Sequence, residues 1–214
     1  AAMNFDSLEG TGIFNLLGAN QYTGTTFIRG GQVRVFDAAA FGQSSRIVLG
    51  VANATTRTGV LLLDAGLTLT NDLFAANTGS GNSTIVIGGL TTGTATYSGN
   101  ITLSQNTFFH APSGGTVVFA GDIATGGSTG AGFTVTGGGI VMLSGNNAYT
   151  GPTVVQEGTL QAGTSTALGT SSPWEVASGS LIDLNGFSSS VTTLIGGGTV
   201  TSSNGAATLS RGDG

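Results

Sequence analysis

The chain has 214 residues, a formal net charge of −5, five Lys plus Arg, ten Asp plus Glu, one His and no Cys, and all five cations are Arg. This excludes disulfide staples and thiolate metal centres, a P-loop, which needs its Lys, and the clustered cations that neutralise nucleic-acid phosphates. Charged residues are only 7% of the chain, while hydrophobic residues reach 39%, so there is enough apolar material to bury and the chain is not a disordered tract.

Short apolar clusters recur in chain order, separated by turn residues: Ile13-Phe14, Phe27-Ile28, Val33 to Val35, Ile47 to Leu49, Leu61 to Leu63, Leu67 to Leu69, Ile85 to Ile87 and Ile101 to Leu103. They continue through Val117 to Phe119, Phe133 to Val135, Ile140 to Leu143, Val154-Val155, Leu160, Trp174 to Val176, Leu181 to Leu184, Val191 to Ile195 and Val200. Each is β-branched or Leu-rich and often alternating, which is the signature of strands. No stretch has helical periodicity; Ala38-Ala39-Ala40 is expected to lie in a loop. The longest apolar runs, such as Val60 to Leu63, are far too short to span a bilayer as a helix.

Strands this short and frequent suit a sandwich, a barrel or a solenoid, and internal repetition decides among them. Residues 10–35 (GTGIFNLLGANQYTGTTFIRGGQVRV) align without a gap on residues 137–162 (GGGIVMLSGNNAYTGPTVVQEGTLQA). The shared residues include Gly12/Gly139, Leu16/Leu143, Asn20/Asn147, Tyr22-Thr23-Gly24/Tyr149-Thr150-Gly151 and Gly31/Gly158, and Ala40-Phe41-Gly42 extends the match to Ala167-Leu168-Gly169. Each copy reads as strand, Gly-Asn turn, Tyr-Thr-Gly corner, strand, Gly turn, strand, or about one rung of a three-faced solenoid. Asn20 and Asn147 are expected to stack on Asn in neighbouring rungs. One rung cannot bury its inward face alone, so its neighbours must supply the core. Scarcity of charge fits the same architecture. Equivalent side chains in stacked parallel strands stand about 4.8 Å apart, where like charges repel and Thr, Ser and Asn columns do not. The expected fold is an all-β, right-handed parallel β-helix of roughly nine or ten coils, one domain over 1–214, with a rod near 45 Å long.

At these segments the pattern G-x-G-I-x-x-L-x-G-x-N-x-Y-T-G-x-T, a strand, then G-x-[VL], resembles the passenger-associated transport repeat of bacterial autotransporters. Residues 180–209 look like the segment that follows such a repeat, and residues 97–121 like the one that precedes it. The resemblance implies an extracellular β-helix carried to the cell surface, or released from it, with a C-terminal outer-membrane β-barrel in the full protein. The chain opens AAMNFDSLEG, with no basic region followed by an apolar run, and so reads as a mature or excised passenger segment.

Candidate sites are few. Arg211-Gly212-Asp213 is the sharpest short motif, an integrin-type tripeptide whose guanidinium and carboxylate would both have to be exposed. Gly126 to Gly130 matches G-x-S-x-G, but an esterase elbow also needs a helix after Ser128 and a His-acid pair, and His110 is the one histidine. That histidine reads as a loop or packed side chain. The carboxylates form no D-x-D or D-D cluster of the kind that pectin-degrading β-helices need, and no glycosidase pair is evident; Asp64 and Asp72 could meet another coil only through stacking. No metal or cofactor site is expected. The aromatics Phe5, Phe14, Phe27, Phe36, Phe41, Phe74, Phe108, Phe109, Phe119, Phe133, Phe187 and Trp174 read as core or cap stacks, against the alternative of a sugar-binding platform. Tyr22 and Tyr149 share one repeat position and so read as a structural corner. The sequons at Asn53, Asn82 and Asn100 are what an Asn/Thr-rich chain contains by chance.

Three functions fit, in descending order. The first is a non-enzymatic adhesin scaffold contacting host-cell, matrix or neighbouring-cell molecules, with integrin as one partner. The second is a stalk whose repeats assist folding and export. The third is a polysaccharide-processing enzyme. Strand edges at the ends of the stack also suggest self-association.

Overall fold

The computed structural model describes residues 1–7, 11–50, 57–76, 83–127, 130–169 and 172–212. Within them the regular structure is all strand, and no helix is present that could cross a membrane. The chain winds as a β-solenoid of about nine turns, with three strand-bearing faces visited in rotation. The first face holds six strands, from Met3–Phe5 through Thr26–Ile28, Ile47–Leu49, Leu73–Ala75 and Ile101–Leu103 to Ile123–Thr125. The second holds nine, running from Ile13–Leu16 to Leu194–Gly196, and the third seven, from Thr68–Leu69 to Thr199–Thr201. A further pair, Ser189–Val191 with Leu209–Arg211, succeeds the first face in the last coils.

Strands on each face pair in parallel, one coil on the next. The step between coils is uneven. It is 19 residues from Ile13 to Gln32 and 28 from Gln32 to Val60 on the second face. Strand register is kept while the corners absorb the difference, because a one-residue slip would turn every buried side chain outward. Burial alternates accordingly: in Gly115–Phe119 the residues Gly115, Val117 and Phe119 face in and Thr116 and Val118 face out.

The core is a column of stacked side chains, not a slab between two sheets. Ile28, Leu49 and Ala75 stack inside the first face, and Leu61 and Ile87 inside the second. In the middle of the rod Tyr97, Phe119, Phe109, Phe133 and Tyr149 make a continuous aromatic run with ring centroids 4.2–5.2 Å apart. Each such pair contributes about 0.5–1.5 kcal/mol beyond its burial. The buried Tyr97 hydroxyl donates to the Gly88 carbonyl at 2.7 Å, which satisfies a polar group that would otherwise be costly in the core. The expectation of core stacks therefore holds for Phe41, Phe109, Phe119, Phe133 and Trp174, all fully buried. Phe27 and Phe74 instead point outward from the first face.

The third-to-first-face corner is a ladder that the sequence reading missed. Ser98-Gly99-Asn100, Ala120-Gly121-Asp122 and Ser144-Gly145-Asn146 stack above Asn71-Asp72. The Asp72 carboxylate accepts from the Asn100 N–H, Asn100 Oδ1 from the Asp122 N–H and the Asp122 carboxylate from the Asn146 N–H, at 2.8–3.0 Å. Glycine is required here by proximity, since a Cβ on Gly121 would lie 2.1 Å from the Gly99 carbonyl oxygen and one on Gly145 2.2 Å from that of Gly121. Asp and Asn alternate, so no two carboxylates meet in successive coils.

Candidate functional site

The two repeat copies fold alike. In the first, Ile13–Leu16, Thr26–Ile28 and Gly31–Val35 are strands; in the second, Ile140–Leu143, Thr153–Val155 and Thr159–Ala162. The turn glycines Gly31 and Gly158 both take a positive φ, +90° and +80°, a region that side chains with a Cβ rarely enter. Their settings differ by one face. The first copy lies on the second, first and second faces, the second copy on the third, second and third. The repeat therefore specifies a local unit that can be rotated about the rod axis. It also spans more than the single rung expected, since its outer strands are already paired one coil apart, Phe14 with Val33 and Val141 with Leu160.

Inside each unit, polar side chains clamp one coil to the next. Tyr22 Oη lies 3.1 Å from Thr26 Oγ1, which lies 3.1 Å from Ser44 Oγ on the following coil, and the Ser44 hydroxyl also donates to the Gly24 carbonyl at 2.9 Å. In the second copy Tyr149 Oη is 3.0 Å from Thr153 Oγ1, Thr153 Oγ1 is 3.1 Å from Ser172 Oγ, and Ser172 donates to the Gly151 carbonyl at 2.7 Å. Burial pushes both tyrosine hydroxyls above their ordinary pKa, with the threonine contact opposing it, so both stay protonated; the Tyr22 hydroxyl accepts from Thr26, and that of Tyr149 donates to the Leu168 carbonyl. The asparagines correct the stacking expectation: Asn20 donates its side-chain amide to the Ala40 carbonyl at 2.7 Å and Asn147 to that of Ala167 at 2.6 Å. An amide aimed at backbone satisfies a carbonyl in an irregular corner, which an Asn column would leave bare. The signal was present in the extension of the match to Ala40-Phe41-Gly42 and Ala167-Leu168-Gly169, the segments each clamp grips.

The remaining candidates do not converge. His110 ends the strand Thr107–His110, half-buried, with Nδ1 3.4 Å from Thr136 Oγ1. Burial lowers its pKa, with Glu157 partly opposing the shift, so at neutral pH it is an uncharged, packed side chain in a strand. Ser128 lies outside the described residues, as do Asn53 and Asn82 of the sequons; Asn100 is committed to the corner ladder. Asp64 does meet another coil, accepting from Thr91 Oγ1. Asp183 is the one strongly perturbed carboxylate among the described residues. Burial would raise its pKa, but hydrogen bonds from the Ser203 hydroxyl, Gln161 and the Ser203 and Asn185 N–H groups outweigh it and hold it at about 2. That pattern ties coils together. No group of three or more His, Asp or Glu that could hold a metal occurs among the described residues.

Arg211 is exposed in the strand Leu209–Arg211, and the Gly212 N–H donates to the Val191 carbonyl at 3.0 Å. Asp213 lies outside the described residues. At the same end Leu194 and Ile195 are exposed, as Met3, Ile13 and Leu17 are at the opposite end.

Comparison with known proteins follows the same segments. The passenger-associated-transport-repeat model matches residues 9–35 and 133–162. The adhesin BmaC autotransporter of Brucella suis biovar 1 is similar over 119 residues at 37% identity, covering 51% of this chain and 3% of that protein. The chain thus spans a small fraction of the length of the relative it matches. No solved structure gives a significant match. Two matched repeats with one clamp geometry, carried on a parallel solenoid, place passenger-associated transport repeats in this chain and make it similar to a segment of autotransporter passenger, which implies display at the cell surface or secretion.

Proposed function

We propose that this segment is a non-enzymatic adhesive scaffold, presenting broad sheet faces to host-cell or matrix molecules. The observation that carries the reading is its similarity to a protein whose name is adhesin. The surface chemistry supports it: Thr and Val are common at outward strand positions, as at Thr94, Thr96, Thr116 and Val118. The stalk reading stands beside it, favoured by the repeat clamps, whose side chains are spent on joining coils. The C-terminal barrel implied by the passenger kinship, and end-on self-association through the exposed strands and apolar side chains at the two ends, belong to the same proposal.

The test coats beads with the purified chain and counts attachment to cultured epithelial cells and to matrix-coated wells. Retention well above that of uncoated beads is expected. If the folded chain gives none, binding lies elsewhere in the protein and the stalk reading replaces this one. The integrin version is tested separately by Arg211→Ala with Asp213→Ala, and unchanged attachment of that variant removes integrin from the partners.

A further inference from the structure

Two of the five arginines do something no clamp or corner requires. Arg29 lies over the outward ring of Phe27, its guanidinium carbon 5.0 Å from the centroid, and Arg46 lies over the ring of Phe74 at 5.4 Å. Both distances are within cation–π range. Phe27, Val48 and Phe74 are register partners on three successive strands of the first face, so the rings stand two strand spacings apart, roughly 10 Å. With Gly50 and Ala76 they line a shallow groove with an apolar floor and a guanidinium held at each side. Neither guanidinium has an ion pair or hydrogen bond among the described residues; the one ion pair there joins Arg57 to Asp6. Asp72 occupies the register position beside Arg46, but its carboxylate accepts from the Asn100 N–H.

The repeat does not need these residues. The second copy has Val154 where the first has Phe27 and Gln156 where it has Arg29, and folds the same way. A stacked guanidinium keeps its outer N–H donors free in a fixed fork, suited to carboxylate or sulfate. We propose that this groove binds an acidic polysaccharide, with sugar C–H faces along the outward Phe27–Val48–Phe74 column and successive acid groups on Arg46 and Arg29. Nucleic acid is disfavoured because its phosphates are far denser than two cations on a chain of charge −5 can match. An acidic peptide captured by strand addition is disfavoured too. Thr26–Ile28, Ile47–Leu49 and Leu73–Ala75 are each paired on both sides and offer no free backbone edge. Binding of one ligand in one groove is separable from cell adhesion.

The experiment measures binding of hyaluronate, which carries one carboxylate per two sugars, to the purified chain by calorimetry, with dextran and poly-glutamate as comparison probes. Expected results are hyaluronate binding that weakens with salt, no dextran binding, weaker poly-glutamate binding, and a loss of roughly tenfold or more in Arg29→Gln/Arg46→Gln. Arg46→Lys keeps the charge but not the fork and should fall in between; Arg46 is exposed, so this variant is expected to fold. Unfolding temperatures of the variants are read alongside. No preference of the native chain for hyaluronate over dextran overturns the proposal. So does undiminished binding by the folded double variant, and so does poly-glutamate binding as tightly as hyaluronate.

Discussion

The two repeat copies share eleven identities, one turn geometry and one set of clamp hydrogen bonds, yet their burial differs. In the first copy Ile13 is 52% and Leu17 74% exposed, and Tyr22 is half-buried. In the second Tyr149 is 2% exposed, its ring meets Phe133 edge-on at 5.0 Å, and its hydroxyl also donates to the Leu168 carbonyl. Before the first copy only the short strand Met3–Phe5 is described, so Ile13–Leu16 is paired on one side alone, whereas the second copy lies between coils. Local conformation is thus written into the repeat, while the energy it stores depends on what stacks against it, as a one-dimensional array of repeats and interfaces requires.

Paired substitutions sharpen this contrast. The largest gap is expected at the tyrosines. Tyr149→Ala removes a fully buried ring and should cost about 3–5 kcal/mol in urea unfolding, whereas Tyr22→Ala should cost less than half as much. Equal losses would mean that the first copy is as tightly covered as the second. Next come the corner glycines at the same repeat position. Gly145→Ala would set a Cβ 2.2 Å from the Gly121 carbonyl oxygen, while nothing lies within 4 Å of the Cβ built on Gly18. Gly145→Ala should therefore lower stability by about 2–3 kcal/mol, and Gly18→Ala should stay within about 0.5 kcal/mol of the native chain. A neutral Gly145→Ala would show that the corner ladder can spread.

The smallest effect concerns the coil after each copy. Gln161 of the second copy donates to Asp183 at 2.8 Å. At the equivalent place in the first copy, Arg34 bonds Gln32 within its own strand at 3.0 Å. Because Asp183 sits at about 2, below the ordinary carboxylate value of 3.8, its contribution is complete above about pH 4 and fades as pH falls towards 2. Asp183→Asn should cost on the order of 1–2 kcal/mol at neutral pH. The gap from the native chain should close in acid, and thermal melts from pH 7 to pH 2 would reveal a gap that stays constant if the carboxylate is not the cause.

Much of this was legible beforehand. Strands with β-branched or Leu-rich cores, such as Ile85 to Ile87 and Ile140 to Leu143, are found where the pattern puts them, and a gapless internal match identified a stacked array. Strands poor in such residues were not read, Gly93–Tyr97 and Ile123–Thr125 among them, because parallel pairing with Gly115–Phe119 and Ile101–Leu103 holds them in place. Recurrence of a Gly followed by Asn or Asp at Gly99, Gly121 and Gly145 was visible but uneven, at 22 and then 24 residues, and only coil stacking turns it into a ladder.

The sequence by itself determined the solenoid, the repeat unit, its tyrosine corner and the passenger kinship, because those depend on patterns within a few dozen residues. Tertiary structure alone decided which face each copy occupies, that Phe27 and Phe74 face outward under Arg29 and Arg46, and that Asp183 stays ionised under its hydrogen bonds. Those outcomes depend on the register between coils separated by 18 to 28 residues. Corners of variable length set that register, and no local pattern encodes it.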